Sequence, residues 1–179
     1  MTGRTLDLGC GSAKTPGALG VDRWPAPGVD LLADMASGYL PFADETLDAV
    51  VMNDALEHVS DPPRLVGEIA RILVPGGTLA VRVPHYTSIH AWSDFTHKSF
   101  FSVESLKHLT GGHAAYRHYS ATPMELVSSR LHFWKGWRLL GVEALANAFP
   151  SLYEKYFAFT FPAMALTFTL RKGAADDAD

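Results

Sequence analysis

The chain has 179 residues, 47% hydrophobic and 19% charged, with a formal net charge of -4. That length suits one domain with a substantial core, and mild acidity without a local Lys/Arg cluster excludes an electrostatic footprint for nucleic acid. Cys10 is the single cysteine, so an internal disulfide is excluded and a reducing cytoplasmic setting is expected.

No apolar run is long enough to span a bilayer, and the first strand opens within a few residues, leaving no room for a signal peptide. In chain order, Thr5–Leu8, Ala18–Val21 and Leu31–Ala33 read as three strands. A fourth, Leu47–Met52, is apolar enough to be buried on both faces. A helix follows: Asp61 can cap it, Pro62 suits its first turn, and Leu65, Val66, Ile69, Ile72 and Leu73 form one stripe. Pro75-Gly76-Gly77 stops it and leads into a fifth strand, Thr78–Val83. Residues 84–102 read as loop, followed by a short helix at Val103–Leu109. Glu125–Phe133 is the sixth strand. Trp137–Phe149 and Ser151–Ala158 read as helices, Ser151 and Glu154 having capping-box spacing. Met164, Leu166, Phe168 and Leu170 alternate with small or polar residues, marking a final strand. Strands alternating with helices predict a mostly parallel α/β sheet covered on both faces. One domain over 1–172 is expected, with a helical insertion at 137–158 and a disordered acidic tail at 173–179.

Thr5-Leu-Asp-Leu-Gly-Cys-Gly11 carries the chemistry. Two glycines one residue apart end a strand, so the backbone can approach a ligand with no Cβ between. Asp22 closes the next strand, where a carboxylate can accept from ribose hydroxyls or, less often, merely cap a turn. A dinucleotide site would need a third glycine where Lys14 stands and an acid about 20 residues on. Without that pyrophosphate cradle an NAD site is disfavoured. S-adenosylmethionine, which has no phosphates, needs only the tight turn and the acid.

Leu6-Asp-Leu-Gly-Cys-Gly11, Gly20-Val-Asp22, Leu40-Pro-Phe42 with Leu47-Asp-Ala-Val-Val51, and Leu56-Glu-His58 before Leu73-Val-Pro-Gly-Gly77 together resemble class I S-adenosylmethionine-dependent methyltransferases. Pro84–Ser102 resembles one group of small bacterial, type 11-like members. The resemblance implies a Rossmann-like, mostly parallel seven-stranded sheet with the last strand antiparallel. It also implies S-adenosylmethionine as donor and S-adenosylhomocysteine as product. Carried over residue by residue, Asp7, Gly9 and Gly11 form the first cofactor loop and Asp22 holds the ribose. Asp34 and Met35 lie near the adenine, and Asn53 and Asp54 face the methionine part. Two departures stand out. Ser12–Leu19 is short for a crossover, so the first helix should be reduced or missing. No N-terminal helices precede the first strand to cap the substrate pocket.

Methyl transfer needs alignment and exclusion of water, and a hydroxyl acceptor also needs its proton removed. The loop 85–102 carries His85, His90, Asp94 and His97 among Tyr86, Trp92, Phe95, Phe100 and Phe101. It reads as a substrate lid with His85 or His97 as general base. Two of its histidines with Asp94 would also suit a metal, but no tight ligand spacing supports one and none is expected. The plain alternative is aromatic core with histidines bonded to loop carbonyls. Glu57-His58 reads as orienting backbone, His58 remaining an outside candidate, and Cys10 as a small turn residue. The aromatic and aliphatic residues of 139–170 read as packing over the sheet edge, with a lipid or dimer surface as the alternative. The expected function is methylation, at oxygen, of a small or carrier-linked acceptor. The competing reading is a non-catalytic S-adenosylmethionine-binding or scaffolding module. Neither nucleic acid nor a membrane span is expected, and a dimer is compatible with the sequence.

Overall fold

The computed structural model describes residues 4–110 and 122–173; the expected acidic tail lies, but for Gly173, outside them. Seven strands among these residues form one sheet: β1 (Thr5–Leu8), β2 (Leu19–Asp22), β3 (Leu31–Leu32), β4 (Leu47–Asn53), β5 (Leu73–Pro84), β6 (Met124–His132) and β7 (Ala165–Lys172). Their order is β3-β2-β1-β4-β5-β7-β6. Strands β1 to β5 pair in parallel, and β7 runs antiparallel to both β5 and β6. The fold is thus the Rossmann-like class expected, with only the last strand reversed.

Helix α1 (Pro62–Ile72) begins where Asp61 accepts from Arg64 N at 3.1 Å, and it buries Leu65, Val66, Ile69, Ala70 and Ile72. Leu73 leaves that stripe: it pairs with Leu47 and opens β5, and the Pro-Gly-Gly turn becomes a register shift within the strand. Helix α2 (Ile89–Ser93), one short turn capped by Ser88, stands inside what reads as loop in sequence. Residues Glu104–Leu109 are 3-10 rather than α-helical. The predicted helix over 137–149 is two, α3 (Lys135–Leu139) and α4 (Val142–Ala148). Gly141, at φ +77°, sits in the left-handed region that ends one and starts the other.

Helix α5 (Pro150–Tyr156) lacks the expected capping box. Ser151 Oγ donates to Glu104 Oε1 at 2.8 Å, and Glu154 turns inward instead. Its Oε1 accepts from Val103 N at 2.5 Å and faces His85 Nε2 at 3.2 Å, and Oε2 accepts from Glu104 N at 3.3 Å. Buried backbone donors outbid a helix N-terminus for this carboxylate. The packing expected for 139–170 holds only in part. Tyr153 is buried, with Val142 and Phe161 against the core, whereas Leu139, Leu140, Leu145, Phe149, Tyr156 and Phe159 are exposed. The insertion is too thin to bury both of its apolar sides.

The first crossover contains no helix: residues 9–18 form turns that return to β2. This loop is held by Asp7, whose Oδ2 accepts from Thr15 N at 2.6 Å, and by close contact with β2. A Cβ on Gly20 would lie 2.4 Å from Gly28 O and 2.9 Å from Cys10 Sγ. The strand order reverses between β1 and β4. Ligands of open α/β sheets bind at the carboxyl ends of the strands flanking such a switch point.

Candidate active site

Two cavities open side by side at that switch point and share Asp54 and His58. The first, a crevice of about 510 Å³, is lined by Gly9, Asp22, Arg23, Trp24, Met35, Asp54, Ala55 and His58, and by Phe95, Thr96 and Lys98 of the loop above. The second, a chamber of about 410 Å³, is lined by Asp54, Glu57, His58, Arg82, Pro84, His90, Ser93, Asp94, His97 and Met164.

The turn after β1 sets the crevice floor. Gly9 has φ +78°, and a Cβ there would lie 2.5 Å from Ala55 Cβ and 3.1 Å from Met35 Cε. No other residue allows the β1 and β4 loops to meet this closely. Gly11 N donates to Asp22 Oδ2 at 2.9 Å, and Trp24 N donates to Oδ1 at 3.0 Å. The Asp22 carboxylate is therefore fixed at the crevice wall while each oxygen keeps a lone pair for a ligand hydroxyl. Asp54, at φ +48°, accepts from Arg82 and stands between the two cavities. Strain of this kind persists where surrounding structure imposes it, often at functional sites.

Of the eight residues assigned to the donor, the structure brings Gly9, Asp22, Met35 and Asp54 to the crevice. Asp7 is buried beneath the turn and acts as its brace. Gly11 contributes through Asp22. Asp34 precedes the short turn Met35–Ser37, and Asn53 ends β4 exposed; neither lines these two cavities. Burial, then the Asp7 and Asp22 charges, push the Cys10 thiol up, which keeps it protonated as a turn residue should be.

The two histidines proposed as base part company. His85 is 0% exposed; Thr87 N donates to its Nδ1 at 3.3 Å, leaving Nε2 to donate to Glu154. Both ring nitrogens have partners within the fold, and the ring lines neither of the two cavities. His97 faces the chamber. Its Nδ1 donates to Ala91 O at 2.9 Å, so Nε2 points inward, 4.0 Å from Glu57 Oε1 and 4.0 Å from Asp94 Oδ2. His58 packs edge-on against His97, ring centroids 4.7 Å apart, and its Nδ1 meets Thr96 Oγ1 at 2.9 Å.

Glu57 is the unanticipated member. It is 2% exposed, and neither carboxylate oxygen has a hydrogen-bond partner. Burial, with the Asp54 charge adding to it, pushes its carboxyl up to about 7. Its backbone carbonyl accepts from Lys98 N at 2.8 Å and Ser99 N at 3.0 Å, tying the loop to β4's end. Glu57 was read in sequence only as orienting backbone, and Arg82, Trp24, Thr96 and Lys98 were not singled out there. Only Arg82 left a signal there, as the lone charge in the apolar run Leu79–Val83.

The methyltransferase-domain family profile matches residues 2–113, more than half of the chain. The chain belongs to the methyltransferase-domain family, and its fold is that of the class I S-adenosylmethionine-dependent enzymes. Among curated proteins it is similar to demethylmenaquinone methyltransferase of Renibacterium salmoninarum, 33% identical over 84 residues. That match covers 47% of this chain and 30% of the relative, so the chain spans about a third of that protein's length. Among solved structures it resembles an S-adenosylmethionine-dependent methyltransferase from Archaeoglobus fulgidus, with TM-score 0.63 at 19% identity over 94% of this chain and 86% of that one. It also resembles the [4+2]-cyclase SpnF, with TM-score 0.61 at 20% identity over 96% of this chain and 75% of the other.

Proposed function

We propose that this protein transfers the methyl group of S-adenosylmethionine to oxygen of a small or carrier-linked acceptor. The observation that carries the reading is the shared wall: a crevice built on Gly9 and Asp22 adjoins a polar chamber through Asp54 and His58. Asp22 would accept from the ribose and Met35 would pack on the adenine. Asp7 and Gly11 would support the turn, and Asp54 would meet the methionine part. The donor supplies an electrophilic methyl carbon when bound. The chain's own contribution is to fix both ligands in line and cover them with the loop carrying Phe95 and Thr96. A hydroxyl acceptor in the chamber would give up its proton to the His97 cluster, while Arg82 steadies its negative charge. The curated relative's name points to a quinone-type ring as one acceptor class.

The test is methyl transfer from labelled S-adenosylmethionine to a panel of hydroxylated aromatic and carrier-linked acceptors. Transfer that falls at least about 100-fold in His97→Gln, in line with a general base's usual contribution, supports the reading. S-adenosylhomocysteine binding with no transfer to any acceptor supports the non-catalytic module instead. That second reading is favoured by the open first crossover, which contains no helix. Among the described residues no helix is long and apolar enough to cross a membrane.

A further inference from the structure

Glu57, His58 and His97 meet in the chamber. The Nδ1 of His97 must carry its proton, because its partner, Ala91 O, can only accept. Thr96 Oγ1 gives its own proton to Asp94 Oδ1 at 2.7 Å and so takes one from His58 Nδ1. Each ring thereby keeps Nε2 for a ligand, and Glu57 presents a buried carboxyl group with two unpartnered oxygens. One ligand atom from each of Glu57, His58 and His97 lies within 4.8 Å of the other two. Buried polar atoms without partners are costly unless a proton or a metal cation lies among them.

We propose that Glu57, His58 and His97 form a binding site for a divalent first-row transition-metal ion at the acceptor side of the donor crevice. Two imidazoles and one carboxylate suit zinc, cobalt or iron, whereas magnesium and calcium prefer an all-oxygen set. Ligand atoms about 2.1 Å from a tetrahedral zinc stand about 3.4 Å apart, so modest side-chain rotation closes the set. The supports are already in place: the Ala91 carbonyl orients His97, and the Asp94–Thr96 pair orients His58, as outer partners of metal-bound histidines do. Three protein ligands leave a position open toward the chamber. An acceptor oxygen bound there would be held beside the donor and made more acidic. That last role rests on the methyl-transfer reading and would replace His97 as the base, since Nε2 cannot hold both the ion and a proton; the binding of the ion does not rest on it.

Purified full-length protein, stripped with a chelator, is titrated with zinc by calorimetry and with cobalt by visible absorption. The site predicts one ion per chain with a low-symmetry cobalt spectrum. Affinity should fall more than about 100-fold in Glu57→Gln and His97→Ala, and by about tenfold in Thr96→Val, which removes only an outer partner. Circular dichroism checks that each variant is folded, and the cobalt spectrum of His58→Ala provides an independent readout. No saturable binding, or binding that survives all of these changes, overturns the proposal; the cluster then holds a proton instead. S-adenosylhomocysteine titrated into the stripped protein separates the outcomes, since its binding should persist without the ion. If it fails while zinc binds, the methyl-transfer reading falls and the metal site stands.

Discussion

Gly9 and Asp22 show how much one residue can decide. Alanine at Gly9 would meet Ala55 at 2.5 Å while adopting φ +78°, so strain and overpacking together should cost about 3 kcal/mol. Gly9→Ala should lower the melting temperature and abolish measurable S-adenosylhomocysteine binding, both read on the same purified variant. Gly141 also has positive φ, but a Cβ there meets nothing within 4 Å. Gly141→Ala should therefore cost only about 1 kcal/mol, lower the melting temperature by about 3 °C, and leave ligand binding unchanged. The glycine turn and Asp22 were legible because spacing and strand ends define them locally. Glu57 was not: its significance depends on burial and on His97, 40 positions later in the chain, which no local pattern reports. His85 and His97 look alike in sequence and differ only in what folds against them.

Elements depend on a few inward-turning groups. Glu154 joins α5 to the stem of the 85–102 loop through His85 and to the turn at 103–104. Glu154→Ala removes the partner of the buried His85 Nε2 and of the half-buried Val103 N, at about 1–3 kcal/mol. Limited proteolysis should then cut within 85–102 much faster than in the parent protein; an unchanged digestion rate would show that the loop is anchored elsewhere. The capping-box pattern at Ser151 and Glu154 misled for the same reason, since spacing cannot reveal a stronger competitor for a side chain. Helix α2 was missed because its few residues give too little periodicity, whereas the turn at 104–109 was placed to within a residue and differs only in being 3-10.

The sheet of the whole molecule was readable because β4 and β5 keep short apolar runs, Val50–Met52 and Leu79–Val81, that are buried or half-buried. The last strand was marked by its alternation, and its antiparallel direction was what the family resemblance implied. The exposed side of α3–α5 was only the alternative to packing, because an apolar residue in sequence says nothing about whether neighbours suffice to cover it. A ligand bound across the β1–β4 switch point links the two halves of the sheet and should stabilise all of it. At about 100 times its dissociation constant, S-adenosylhomocysteine should add about 2.7 kcal/mol and raise the melting temperature by about 5–10 °C. A melt unchanged by saturating ligand would mean the crevice is not the binding site.

Calorimetric titration of S-adenosylhomocysteine into the parent protein and into Asp22→Ala probes the donor site most directly. The crevice predicts one ligand per chain with micromolar affinity, weakened at least about tenfold when the carboxylate and its hydrogen bonds to the ligand are removed. Absence of binding to the parent, or equal affinity in both proteins, would contradict it.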